Sequence, residues 1–230
     1  MIPLRIASQS EIRPLITRVI VFVLAIGFIV QAASPRLGDA LVRVFGFVPA
    51  RFFDPSAFDY SRFEVLTTLI TSQLLHGGWV HLAGNLLYLW VFGAAIEGKV
   101  GHGMFAALYL AGGIAGSLGH AFMFPTSTIP SIGASGCIAA LLGIFLVLMP
   151  RERITTLIPL VVSWILLEVP GLVLLPFWFG LQFLNGWLAL RSAQGTEEVA
   201  GIAWWAHVAG FVFGLIAGVL IRLRDYNTRR

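Results

Sequence analysis

Four polar residues stand inside otherwise apolar stretches, and their types suit acyl-transfer chemistry: His81, Asn85, Ser135 and His207. A serine hydroxyl is a weak nucleophile at its free pKa. It becomes effective beside a neutral imidazole that takes its proton and later returns it to a leaving amine. Ser135 lies in Gly133-Ala134-Ser135-Gly136 at the start of an apolar run. At the mouth of a helix, unpaired N–H groups and the positive end of the dipole favour a developing anion. Gly133 permits a tight turn there, and Gly136 leaves the approach to the hydroxyl open. Small residues at a helix start also serve close packing, so the tetrapeptide alone does not separate the two roles. His207 offers an imidazole that titrates near working pH. His81 and Asn85 are four apart, about 40° around a helix, so both can aim donors at one oxyanion. His76, five residues before His81, lies about 140° away and does not share that face.

Other chemistries fit less well. The chain lacks HExxH, its one cysteine is Cys137, and no carboxylate accompanies the histidines, so neither a metal nor any other cofactor is expected. Asp39, Asp54 and Asp59 all fall in one long connection, which leaves no pair of intramembrane aspartates. Nor is an acid placed to orient His207, because Glu97 and Glu152 fall at span ends and Glu168 at an interface. The expectation is a two-residue Ser-His arrangement. Packing or boundary roles are expected for Cys137, His102 and His120.

The elements that must hold these groups are membrane spans. Of 230 residues, 58% are hydrophobic and 11% charged, with a mean hydropathy of +0.89, far from the balance of a soluble domain. Six runs read as spans: Leu15 to Ser34, Trp79 to Glu97, Gly103 to Phe124, Ser135 to Met149, Pro170 to Leu190 and Trp204 to Ile221. The fold class expected is an all-α membrane protein, a bundle of six transmembrane helices. Its parts are a cytoplasmic segment 1–14, a six-helix domain 15–221 and a cytoplasmic basic tail 222–230. The basic residues sit at the ends of apolar runs, which is the pattern of membrane topology and not of a nucleic-acid surface. With both termini inside, ten of them, including Lys99, Arg151, Arg153, Arg222, Arg224, Arg229 and Arg230, fall on the inner side, and five on the outer. The first run is too long for the apolar core of a signal peptide, so an uncleaved span is expected.

Two segments interrupt the pattern. Residues 35–75, with Phe52, Phe53, Phe58, Tyr60 and Phe63 among charges, suit the outer interface. Arg153 to Val169 is apolar enough to invite a seventh helix, but a seventh crossing would put Arg222 to Arg230 outside. Pro159, Glu168 and Pro170 also favour a bent, non-spanning insert. Glycines recur at helical spacing, Gly112 with Gly116 and Gly210 with Gly214 and Gly218, so helix backbones can approach closely there.

Depth links the four polar positions. Ser135 stands 16 residues before Arg151, His207 15 before Arg222, Asn85 14 and His81 18 before Lys99. At about 1.5 Å per residue these fall about 21–27 Å above the inner boundary. In a hydrocarbon core about 30 Å thick that is one layer, below the outer surface yet reachable by water.

Three stretches together resemble the rhomboid family of intramembrane serine proteases. HGGWVHLAGN, from His76 to Asn85, looks like the family's H-x4-H-x3-N signature, GASG resembles its GxSG motif, and AHVAGFVFG its last-helix histidine with a glycine ladder. The resemblance runs from about residue 60 to 221. It implies Ser135 as nucleophile and His207 as base. His81 and Asn85, with the Ser135 backbone amide, would form the oxyanion hole, supported by Gly133, Gly136, Gly210 and Gly214. It also implies a six-span core, and single-span membrane proteins, entering from the lipid bilayer, as substrates. A bacterial plasma membrane is the expected location.

Two alternatives stay open. A non-catalytic rhomboid-like protein would bind client helices without cutting them, and a small-solute transporter would also carry polar groups in its spans.

Overall fold

The computed structural model describes residues 2–7, 13–159, 163–191 and 203–228. In chain order it contains β1 (Ile2–Ile6), α1 (Leu15–Gln31), α2 (Pro35–Phe45), α3 (Pro49–Phe53), α4 (Arg62–Thr71) and α5 (Trp79–Tyr88). A π-helical turn at Leu89–Gly93 carries α5 into α6 (Ala94–Val100). There follow α7 (His102–Met123), α8 (Ser135–Leu148), β2 (Arg153–Pro159), β3 (Trp164–Pro170), α9 (Gly171–Arg191) and α10 (Trp204–Asn227). Among the described residues four helical stretches are long and apolar enough to cross a membrane: Trp79–Val100, His102–Met123, Gly171–Arg191 and Trp204–Asn227. Leu15–Gln31 and Ser135–Leu148 are apolar but shorter, at 17 and 14 residues.

The shortest of these, α8, is the centre of the molecule. Its sequence is apolar on every face, the pattern of a helix surrounded by protein, and every residue from Gly136 to Phe145 is buried. α10 lies against it along a stripe of small residues. A β-carbon at Gly210 would press into the Gly136 carbonyl, and one at Gly214 into the carbonyl of Ala140, so these two glycines set how closely the helices meet. Gly112 and Gly116 of α7 face Ala140 and Gly136 in the same way. The face-sharing expected from their spacing therefore holds.

The expectation of an all-α chain is corrected by a three-stranded antiparallel sheet in the order β1-β2-β3. The insert 153–169 does not cross as a helix. It is a hairpin in which Ile154 faces Val169 and Leu157 faces Leu166. The physical reason lies in its composition. ITTLI and WILLEV are rich in β-branched and aromatic residues, Pro159 and Pro170 end the strands, and Ile154 and Thr156 turn inward while Arg153 is exposed. Residues 2–6 of the expected N-terminal segment form the third strand, with Ile6 opposite Ile154 and Ile2 opposite Leu157. The sheet packs between the middle of the α5–α6 helix and the start of α9, where Pro3 and Thr156 line a small cavity with Tyr88, Phe92, Leu175 and Trp178. At the other end of the chain α10 runs to Asn227, so Arg222 and Arg224 belong to the helix and not to a tail. Arg229 and Arg230 lie outside the described residues.

The long connection 35–75, expected at the outer interface, is tied into the protein by burial and hydrogen bonds. Phe47 is fully buried with Leu69 and Ala121, and it exchanges backbone hydrogen bonds with Ser131, at 3.2 and 2.7 Å. The Gly133 N–H donates to the Ser72 carbonyl at 2.9 Å. These ties anchor the loop that delivers the chain into α8.

Candidate active site

Ser135 is the first residue of α8. Ala134 before it has φ −75° and ψ 0°, and Gly133 has φ +119°, a backbone region that disfavours side chains. The turn leaves Ser135 partly accessible while Gly136, one step on, is buried. Across the small-residue contact with α10, His207 brings Nε2 to 2.8 Å from Ser135 Oγ. The other ring nitrogen of His207, Nδ1, lies 2.7 Å from Oε1 of Gln182, a nearly buried side chain on α9. An amide oxygen only accepts, so Nδ1 carries the ring proton and Nε2 offers a lone pair to the serine hydroxyl.

The two remaining residues approach from α5. His81 Nδ1 accepts a hydrogen bond from the Gly77 N–H at 3.3 Å, which leaves the ring proton on Nε2. That N–H faces the turn before Ser135: a β-carbon built on Gly133 would lie 2.9 Å from His81 Nε2 and 3.6 Å from Asn85 Nδ2. Asn85 is buried, and its Nδ2 has no hydrogen-bond partner. Two donors therefore converge on the space that the missing side chain of Gly133 keeps open, beside Ser135. The structure brings Ser135 and His207 into contact and sets His81 and Asn85 beside the turn that precedes Ser135. Among the described residues no three His, Cys, Asp or Glu side chains cluster as a metal centre would require.

The Rhomboid domain family matches residues 64–224, well over half of the chain. The chain belongs to the rhomboid family. Among its relatives, the rhomboid protease GluP of Bacillus subtilis is 49% identical over 78 residues, covering 34% of this chain and 15% of that protein. RHOMBOID-like protein 12, mitochondrial, of Arabidopsis thaliana is 31% identical over 173 residues, covering 68% of this chain and 47% of its own length. Rhomboid protein 1, mitochondrial, of Saccharomyces cerevisiae is 30% identical over 155 residues, with coverages of 66% and 40%. The chain thus spans less than half the length of each of these relatives.

In this rhomboid chain His76 sits apart from the donors. It is fully buried in the loop before α5, with its ring edge-on to that of His81 at 5.2 Å. Burial first, and then the neighbouring His81, holds its imidazole down at about 4, so it stays neutral near pH 7. Its backbone is clamped by Gln31 of α1, whose Nε2 donates to the His76 carbonyl at 2.7 Å and whose Oε1 accepts from its N–H at 3.0 Å. His102 and His120, expected to pack or mark boundaries, differ in setting. His102 Nδ1 lies 2.5 Å from Glu97 Oε1. His120 is buried on α7, with its ring 5.4 Å from that of Phe124.

Sequence reasoning missed two polar groups. Glu97 is fully buried and accepts from the N–H groups of Ile16 and Thr17, both at 2.7 Å, and from the Thr17 hydroxyl at 2.6 Å. It thereby caps α1, whose own N-cap, Pro14, supplies no side-chain bond. Gln182 was legible as a polar residue in an apolar run. It stands 12 residues after Pro170, about 18 Å along the helix.

Proposed function

We propose that this rhomboid chain is an intramembrane serine endopeptidase. The observation that carries the proposal is the 2.8 Å contact between His207 Nε2 and Ser135 Oγ. Ser135 Oγ attacks the scissile carbonyl carbon while His207 Nε2 takes its proton. The carbonyl oxygen gains negative charge and accepts from His81 Nε2–H, Asn85 Nδ2–H and the Ser135 backbone N–H. The tetrahedral intermediate collapses as His207 protonates the leaving amine, which gives an acyl-serine. Water, deprotonated by His207, then hydrolyses that ester and regenerates the hydroxyl.

The proposed architecture is a six-span core, with segment 1–14 and the last turns of α10 from Arg222 onward on the cytoplasmic side of a bacterial plasma membrane. The count of six includes α1 and α8. A span of 14 residues is about 21 Å long, short of the core thickness. α8 tolerates this because protein, not lipid, surrounds it, and its recessed start sinks Ser135 below the surface. The substrates are single-span membrane helices, since a pocket within the bilayer receives its peptide from the bilayer.

A second reading, a rhomboid-like protein that binds client helices without cutting them, draws on the names of two relatives above that carry no mention of protease activity. A fluorophosphonate separates the two. The endopeptidase labels covalently at Ser135, and Ser135→Ala abolishes both the label and cleavage of a reconstituted single-span substrate. Labelling that persists in Ser135→Ala, or client binding with no cleavage by the wild type, rejects the protease.

A further inference from the structure

α9 meets α10 along one stripe of residues spaced by four. Trp178, one turn below Gln182, lies with its ring 6.1 Å from that of His207 and 6.0 Å from that of Phe211. Gln182 reaches Nδ1 of His207 at 2.7 Å. Gly186, one turn above, accepts from Trp205 Nε1 at 3.1 Å, and a β-carbon there would already stand 3.2 Å from that indole. The rest of α9 is mostly exposed, with Leu172, Val173, Phe177, Leu184 and Leu188 facing outward. Two hydrogen bonds and the tilted ring contacts of Trp178 therefore fix the register of this helix against the one that carries His207.

We propose that Gln182 is the positioning residue for His207. Among the described residues no carboxylate reaches Nδ1, and a neutral imidazole with no partner there exchanges its proton between both nitrogens. Half or more of its population can then present N–H, which is useless as a base, to Ser135. The amide oxygen of Gln182 holds the proton on Nδ1, and its place on α9 keeps the ring plane directed at Oγ. An uncharged acceptor also suits this depth, where an ionised carboxylate would require its own partner. Gln182 acts through His207, at the ring nitrogen remote from Ser135. This inference rests on the reading of His207 as base, but the location of the ring proton can be measured without any activity.

The test compares the full chain in lipid bicelles with Gln182→Met, which keeps length and volume but removes the acceptor, and with Trp205→Phe, which loosens α9 without touching His207. In 15N-histidine spectra the wild type is expected to show a protonated Nδ1 and an unprotonated Nε2 for His207, and Gln182→Met an averaged pair. In cleavage of a reconstituted single-span substrate, kcat of Gln182→Met falls about tenfold to a hundredfold with KM within about threefold. Trp205→Phe keeps the wild-type histidine spectrum. The proposal is overturned if Gln182→Met retains both spectrum and kcat. It is equally overturned if Trp205→Phe reproduces the loss and the averaging, since helix docking would then explain both. A wild type that shows the Nδ1 proton but takes no fluorophosphonate would sink the protease reading and leave this contact standing.

Discussion

The imidazole of His81 borders the space beside Gly133 so closely that no side chain fits there, because a β-carbon would lie 2.8 Å from Cε1 and 2.9 Å from Nε2. Gly133→Ala therefore acts twice. It strains a backbone held at φ +119° and pushes His81 out of line with Asn85. Strain of this kind costs about 1–3 kcal/mol, while loss of an oxyanion donor costs about 10² to 10³ in turnover. Expected is a folded protein with a lowered thermal midpoint and cleavage reduced at least a hundredfold. Wild-type kcat in Gly133→Ala would show that His81 does not face the oxyanion.

Asn85 offers a cleaner separation of binding from chemistry. Its Nδ2 is buried and unpartnered in the resting protein, so a bond made only as charge develops lowers the barrier without tightening substrate binding. Asn85→Ala should lower kcat by about 10² to 10³ and leave KM nearly unchanged, with no loss of thermal stability. A variant that raises KM at constant kcat would instead assign Asn85 to holding the substrate in its ground state.

The site was legible in the sequence because burying polar groups in a membrane is costly, so Ser135, His207, His81 and Asn85 stood out against apolar surroundings. The glycine stripe of α10 was legible for a related reason, since only small residues allow such an approach. The sheet was not. A span-oriented reading treats 153–169 as a helix or an irregular insert, whereas its strands are decided by β-branched residues and by pairing with residues 2–6, some 150 positions away. The capping role of Glu97 was hidden likewise, because its partners, Ile16 and Thr17, lie about 80 positions earlier in the chain.

That cap carries a stability prediction. Glu97 satisfies two N–H groups and one hydroxyl at the buried start of α1, and its negative charge faces the positive end of the helix dipole. Glu97→Ala leaves these donors buried without partners and should lower the unfolding free energy by about 3 kcal/mol, measured as a lower thermal midpoint in detergent. Glu97→Gln keeps one acceptor oxygen and should fall between the two. Since Ser135 is remote in sequence and Glu97 caps a different helix, kcat of the folded fraction should be unchanged in both variants.

The final prediction concerns pH. His76 is neutral and fully buried, held at about 4 against an ordinary value near 6.5. Its charged form is disfavoured only in the folded state, so between these values the unfolded chain binds more protons. The folded state therefore loses stability as pH falls from about 6.5 through about 4, and that contribution is fully present above about 6.5. Facing His76 are His81, an imidazole that adds to the repulsion on protonation, and the uncharged Gln31 and Phe28, while the carboxylate of Asp39 lines the same cavity. His76→Phe keeps an aromatic ring in the same slot and leaves the Gln31 clamp, which holds only backbone. The thermal midpoint of His76→Phe relative to wild type should thus rise as the pH is lowered from 7 to 4.5, by an amount equivalent to as much as about 3 kcal/mol. A difference that stays constant over that range would mean that the imidazole is hydrated or finds an acid partner when it is protonated.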